Sequence, residues 1–290
     1  MGIDLHALNL IDQQAGRGAL GSVLTIGRQS MSVPVAAMTR RYGPEFPLER
    51  YCESFLMSLG ATRVESIDYS DYEAATHIAD MGQPVSLASE YDTIIDSGSL
   101  EHIFDVATAF RNIIGFCRVG GRILHVLPVN NLSGHGFWQF SSDLMYSVYG
   151  EGNGFAETEV YYASSLDATR WYRVPEARAG VRVELVSIEP IVLLCVSRKV
   201  RTVEQIKVVQ PFYAPTWATG DTGETGGAAA RRMPALRRRL LSLMPRGAVR
   251  NSLRNIYRVL DLCFGFTRYS LRNSAFERVD VPGAASRSPE

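Results

Sequence analysis

The sequence predicts an α/β protein built on a doubly wound, mostly parallel sheet. Three observations carry that expectation. From residue 21 to about 200, short β-type runs alternate with stretches whose apolar residues step by three or four. The connections between runs are long enough for helices, as parallel neighbours require. Acidic residues stand where successive strands should end, at Asp68, Asp80 and Asp96.

The strands are expected at 22–27 (SVLTIG), 63–68 (RVESID), 91–96 (YDTIID), 121–128 (GRILHVLP), 182–189 (RVELVSIE) and 191–197 (IVLLCVS), with a weaker candidate at 76–79. Helices are expected over 46–59 and 103–117. In the second, Ile103, Ala107, Phe110, Ile114 and Cys117 share a face, and the turn Val119-Gly120-Gly121 follows. Ligands of such sheets sit beyond the carboxyl ends of the strands. That rule directs attention to Gly27, Asp68, Asp80, Asp96 and the segment after Pro128.

The chain of 290 residues has room for one large core and an appendage. The expected division is an α/β domain over 1–205, a flexible linker over 206–230, an arginine-rich amphipathic helical extension over 231–280 and a disordered tail over 281–290. The linker contains TWATGDTGETGGAAA, in which no periodicity survives. A formal net charge of zero hides an asymmetry: residues 231–290 carry thirteen arginines against four acidic groups, so the body is acidic. Leu236, Leu240 and Leu243 form one helical stripe, and Val249, Leu253, Ile256 and Leu260 another. Such basic helices dock on an acidic body, lie on an anionic membrane surface through 231–262, or contact nucleic acid. Nucleic acid is the least favoured, because no nucleic-acid-binding motif accompanies the arginines.

Cys52, Cys117, Cys195 and Cys263 are far apart, without a C-x-x-C pair, and read as buried thiols of a reducing compartment. No run of about 18 uncharged apolar residues occurs, and MGIDLHALNLIDQQ lacks the pattern of a secretory signal. The expected location is cytoplasmic, with peripheral contact at the inner face of a membrane as the tail's further expectation.

A carboxylate ending the second strand suits a ribose diol, because it accepts from both hydroxyls. One after the third strand suits an exocyclic amine. Each acid taken alone is equally explained as a helix cap or a solvated turn. The order of all three favours a ligand.

The stretch YDTIIDSGSLEHIFDVATAFRNIIGFCRVGGRILHVLP makes this specific. With Asp92, Ile94, Ile95, Leu100, Glu101, His102, Gly120 and Gly121 it resembles the fourth-strand to fifth-strand half of class I S-adenosylmethionine-dependent methyltransferases, over about residues 20–200. The resemblance implies a Rossmann-like fold with S-adenosylmethionine as cofactor. It implies that Asp68 takes the ribose and Asp80 the adenine amine. The segment Asp96, Ser97, Gly98 and Ser99 would line the methionine moiety, and Gly27 would be what remains of the glycine loop.

That loop departs from the family. Where Gly-x-Gly-x-Gly is expected, the chain has Gly27-Arg28-Gln29-Ser30-Met31, and 41 residues separate Gly27 from Asp68. Three readings stay open: a displaced loop with Arg28 or Gln29 bonding the cofactor carboxylate, a different ligand, or a non-catalytic relative. The insert around Tyr42-Gly43-Pro44 reads as a lid or as a decoration.

After the fifth strand, PVNNLSGHGFWQFSSDLMYSVYGEGNGF gathers polar and aromatic residues where an acceptor should sit. An oxygen acceptor must lose its proton, and His135 is the expected base. Asn130 and Asn131 would orient polar groups, and Phe137 and Trp138 would stack on a ring or sugar face. Glu101 and His102 would support the pocket. The aromatics are equally explained as core. The spacings of Glu101, His102, His125 and His135 match no zinc pattern, so no metal is expected. The expected function is methylation of a small-molecule or glycan-like hydroxyl. The alternative is a non-catalytic methyltransferase-fold protein acting as an interaction module.

Overall fold

The computed structural model describes residues 2–46, 49–177, 183–210, 251–253, 255–256, 259–260, 271 and 275–281. Its centre is a nine-stranded sheet. In chain order, β1 is Gly2–Ile3, β2 Gly21–Ile26, β3 Ser30–Met31, β4 Ala61–Asp68, β5 His77–Ile78 and β6 Tyr91–Ser97. Strand β7 is Cys117–Asn130, β8 Phe155–Ser164, β9 Arg170–Arg173, β10 Ile191–Lys199 and β11 Glu277–Asp280. The helices are α1 (Leu5–Arg17), α2 (Val35–Tyr42), α3 (Glu53–Ser58), α4 (Val106–Phe116) and α5 (Ser142–Val148).

The large sheet runs β11-β9-β8-β10-β7-β6-β2-β4-β5. Its part β5-β4-β2-β6-β7 is parallel throughout, and β10 enters antiparallel between β7 and β8. Numbered along the chain, those five strands stand in the order 3-2-1-4-5, the doubly wound order whose direction reverses beside its first strand. Val23, Leu24, Ile94, Ile95, Ile123 and Leu124 are buried on both faces of the sheet, which is why these strands read as nearly continuous apolar runs. One face packs against α4 and α5 around Phe110, Ile113 and Met145. The other packs against α1 and α3 around Leu8, Ile11 and Phe55.

Several elements differ from expectation. Helix α1 was not anticipated; Asp4 caps it by accepting from the Ala7 N–H at 2.8 Å. The span 46–59 holds only the six residues of α3. Gly120-Gly121 lies inside β7 and shifts its register against β6, because Gly120 has φ 87° and a side chain at Gly121 would strike the Asp92 carbonyl. Residues 183–189 form no strand. Both edges of β10 are already taken by β7 and β8, so Val183 and Leu185 pack on the core without a ladder.

The insert after Gly27 is a decoration on the α1 face. The Tyr42 hydroxyl donates to Asp12 at 2.6 Å, and the Tyr42 ring lies 5.8 Å from that of Phe55. The extension expected as helix over 231–280 contains a strand: Glu277–Asp280 pairs with β9, and Phe276 and Val281 are buried. Residues 251–253, 255–256 and 259–260 are helical. Most of the expected linker, the first helical stripe and the 282–290 tail lie outside the described residues.

Candidate active site

A cleft of about 390 Å³ opens at the carboxyl ends of β2, β4 and β6, beside the point where the strand order reverses. Its wall includes Gly27, Asp68, Tyr69, Asp80, Ser99, His102, Phe104 and Phe137. They come from the carboxyl ends of five strands, β2, β4, β5, β6 and β7, or from the loops that follow, so the sheet sets their spacing.

Gly27 leaves β2 with φ 74°, a backbone turn that disfavours any side chain. Its N–H donates to the Ile67 carbonyl at 2.7 Å, which binds the turn to β4. Asp68 follows at the end of β4. Its carboxylate accepts from the Arg28 N–H at 3.2 Å and the Tyr69 N–H at 2.7 Å, and keeps acceptor capacity for a ligand. Asp80 stands exposed on the facing loop and accepts from the Gly82 N–H at 2.8 Å. Asn112 of α4 holds that loop. It donates to the Met81 and Gln83 carbonyls at 3.0 and 2.7 Å and accepts from the Val85 N–H at 3.1 Å. Sequence reasoning missed Asn112 because a polar residue in an apolar helix gives no hint of what it bonds.

The degenerate glycine loop leaves the cleft open. Arg28 turns away from it. Its guanidinium donates to Glu53 at 2.7 Å and to the Glu73 and Ala74 carbonyls, and lies 4.1 Å from the centre of the Tyr51 ring. Gln29 is fully buried, with its amide N–H donating to the Ile26 carbonyl at 2.5 Å and to Ser99 Oγ at 3.2 Å. Neither residue is part of the cleft wall, unlike the expectation that one of them bonds a cofactor carboxylate.

Asp96, Ser97 and Gly98 also differ from expectation, since β6 continues to Ser97 and keeps Asp96 inside the sheet. Asp96 is fully buried, accepting from the Ser99 N–H at 2.9 Å and from His125 Nδ1 at 2.8 Å. Ser97 donates to the Gly2 carbonyl. Gly98 is absent from the cleft wall and lies against Glu101. Of this group only Ser99 lines the cleft.

Past β7, Asn130 and Asn131 do not reach the cleft. Asn131 donates instead to the Ser187 and Glu189 carbonyls, fastening the segment before β10. Phe137 and Trp138 are exposed, so they are not core residues. The Phe137 N–H donates to the Glu101 carbonyl at 2.7 Å, and Trp138 Nε1–H donates to the Ile103 carbonyl at 2.9 Å. Phe104, Phe137 and Trp138 form a partly exposed ring cluster at the mouth.

The same loop brings His135 to Glu101 and His102. His135 Nε2 lies 3.4 Å from Glu101 Oε1, and the two imidazoles are 5.5 Å apart. Burial, followed by the charge of Asp96, pushes the Glu101 carboxyl up to about 8. Burial, helped by the charge of His135, lowers His102 below its ordinary value.

No family model and no curated protein matches the chain. Among solved structures it is similar to the N-methyltransferase NodS from Bradyrhizobium japonicum WM9, at 14% identity and TM-score 0.36, over 66% of this chain and 94% of that one. It is similar to TehB from Haemophilus influenzae at 14% identity and TM-score 0.40, over 65% and 61%. A third is YcgJ from Bacillus subtilis, at 13% identity and TM-score 0.39, over 67% and 98%. The strand order, and not these distant likenesses, identifies the fold as a Rossmann-like α/β sheet.

Proposed function

We propose that the chain is an S-adenosylmethionine-dependent methyltransferase acting on a small-molecule hydroxyl. The observation that carries the reading is the cleft itself. Asp68 and Asp80 line one cavity at the reversal point of the sheet, and they are the residues to which the family resemblance assigns the ribose and the adenine amine. The residues fit a nucleoside. Asp68 offers acceptors to a diol, Asp80 accepts from an amine, and Met81 and Ile103 supply apolar walls between them. When bound, the cofactor supplies a methyl group on a sulfonium.

The chain's own contribution is positioning and proton removal. Ser99 and the Gly27 turn bound the inner end of the cleft, and the Phe104, Phe137 and Trp138 rings offer flat faces to an acceptor ring at its mouth. That aromatic rim supports a glycan-like acceptor. His135 is exposed beside His102 of the cleft wall, which supports its reading as the base that would take the hydroxyl proton.

The test is calorimetric titration with S-adenosylmethionine and, separately, S-adenosylhomocysteine. Micromolar binding is expected for both, weakened at least tenfold by Asp68→Ala with the circular dichroism unchanged. No binding at millimolar ligand by folded protein would overturn the reading.

A further inference from the structure

Glu101 combines features that the methyl-transfer reading leaves unexplained. Its side chain is only 1% exposed, yet neither carboxylate oxygen accepts a hydrogen bond among the described residues. A buried carboxylate without donors is costly, and a bound cation is one of the ways in which a protein satisfies it. The space around it is cut to match. A side chain at Gly98 would come 3.2 Å from Oε1, and one at Gly136 would come 2.7 Å from the Glu101 carbonyl oxygen. Glycine at both positions leaves the carboxylate room and lets the His135 loop approach.

Two imidazoles stand at the open side of that carboxylate. One ligand atom from each of Glu101, His102 and His135 falls in a group whose members all lie within 4.8 Å of one another. The 3.4 Å between His135 Nε2 and Glu101 Oε1 matches the edge of a tetrahedron with metal–ligand bonds of about 2.0–2.1 Å. His102 and His135 are both exposed, so their rings are free to close the remaining distance.

We propose that Glu101, His102 and His135 form a binding site for a divalent transition-metal ion of the zinc class at the rim of the cleft. Two imidazoles and one carboxylate are a donor set that suits zinc or iron(II) and leaves further coordination positions vacant. His102 is on the cleft wall, so an ion held by these residues would sit beside the cavity, within reach of an acceptor bound there. An ion there would acidify the acceptor's hydroxyl and take the place of His135 as base, because an imidazole ligated through Nε2 keeps its proton on Nδ1. Binding stands on these three residues, and only its use in methyl transfer rests on the proposed function. Sequence spacing could not show the site, because Glu101 and His102 follow β6 while His135 follows β7, with α4 and β7 between them, and they meet only when the loop after Asn130 folds back onto Glu101.

The experiment is calorimetric titration of chelator-treated full-length protein with Zn²⁺, in the absence of any nucleoside, with Co²⁺ absorption as a second readout. One ion per chain is expected at micromolar affinity or tighter, with the visible bands of low-coordinate cobalt. His135→Ala, His102→Ala and Glu101→Gln should each weaken binding at least tenfold. His77→Ala, at the His77–Glu65 pair elsewhere, should leave it unchanged. His135 and His102 are exposed, so their truncation preserves the fold even where Glu101→Gln does not. Equal zinc binding by wild type, His135→Ala and His102→Ala, or none by folded wild type, overturns the proposal. Zinc binding without nucleoside binding keeps the site and discards its use in methyl transfer; nucleoside binding without zinc binding overturns the site and leaves the proposed function standing.

Discussion

Because a carboxylate only accepts hydrogen bonds, Asp96 fixes the proton of His125 on Nδ1, leaving Nε2 to accept from the Tyr149 hydroxyl at 2.6 Å. All three groups are buried, and Asp96 also holds the Ser99 N–H that shapes the inner end of the cleft. Asp96→Ala leaves an imidazole N–H and a backbone N–H unpaired in the core. It should destabilise the protein by about 3 kcal/mol or more. Asp96→Asn keeps the acceptor for Ser99, and the imidazole can reverse its tautomer, so less than half of that loss is expected. Urea denaturation of the two variants tests the ordering; equal losses would show that the carboxylate's charge beside His125, and not its size or a neutral acceptor for Ser99, is what matters there. The same residue shows what was legible at the site. Asp68 and Asp80 were readable because acids at strand ends follow directly from the pattern. Asp96 was misplaced because one further residue of β6 turns a wall position into a core position. Arg28 was misplaced because two of its three acceptor residues, Glu73 and Ala74, come from the loop after β4, and the third, Glu53, from the insert, neither of which local pattern can position.

Helix α4, which carries Asn112 and so positions the Asp80 loop, is finished at both ends by side chains. Asp105 accepts from the Thr108 N–H at its start. At its end Lys199 of β10 reaches under the helix, with Nζ donating to the Ile114 carbonyl at 2.8 Å and the Cys117 carbonyl at 2.7 Å. The ammonium is 3% exposed and sits at the negative end of the helix dipole. Lys199→Met keeps the volume but leaves both carbonyls without that donor, and should cost about 3 kcal/mol. Arg201→Met removes a similar contact to the Glu151 carbonyl at the exposed surface and should cost under about 1 kcal/mol. Thermal or urea unfolding of the pair checks the contrast. At this scale the parallel strands and α4 were legible, since strands covered on both faces leave unbroken apolar runs. Strand β8 was not, because it follows a glycine-rich turn and Ala156–Glu159 interrupts its apolar run, so that only Phe155 and the aromatic second half pack inward. The Asp4 cap followed by Leu5, Leu8 and Ile11 was the available signal for α1.

Across the whole molecule, the charge asymmetry suggested a body ending near residue 205 and a separate basic appendage, yet the sheet is completed by residues from near the far end of the chain. Strand β11 pairs Val279 with Trp171 and covers the edge of β9, while Phe276 lies 6.1 Å from the Tyr162 ring and Val281 packs in the core shared with α1. A chain cut after residue 210 therefore uncovers the β9 ladder and two buried apolar side chains. Burying Phe276 and Val281 contributes about 1.5–3 kcal/mol each, so the truncated protein should lose several kcal/mol and expose a strand edge prone to self-association. Phe276→Ala in the full chain isolates the packing part and should cost about 3 kcal/mol. Glu277→Ala, on the exposed side of the same strand, should cost little. Urea unfolding and light scattering of the three proteins decide the matter. If the truncated chain is as stable and as monodisperse as the whole, the fold ends where the composition changes. If it is weaker by more than Phe276→Ala, the strand after the arginine-rich segment is part of the body that holds the cleft.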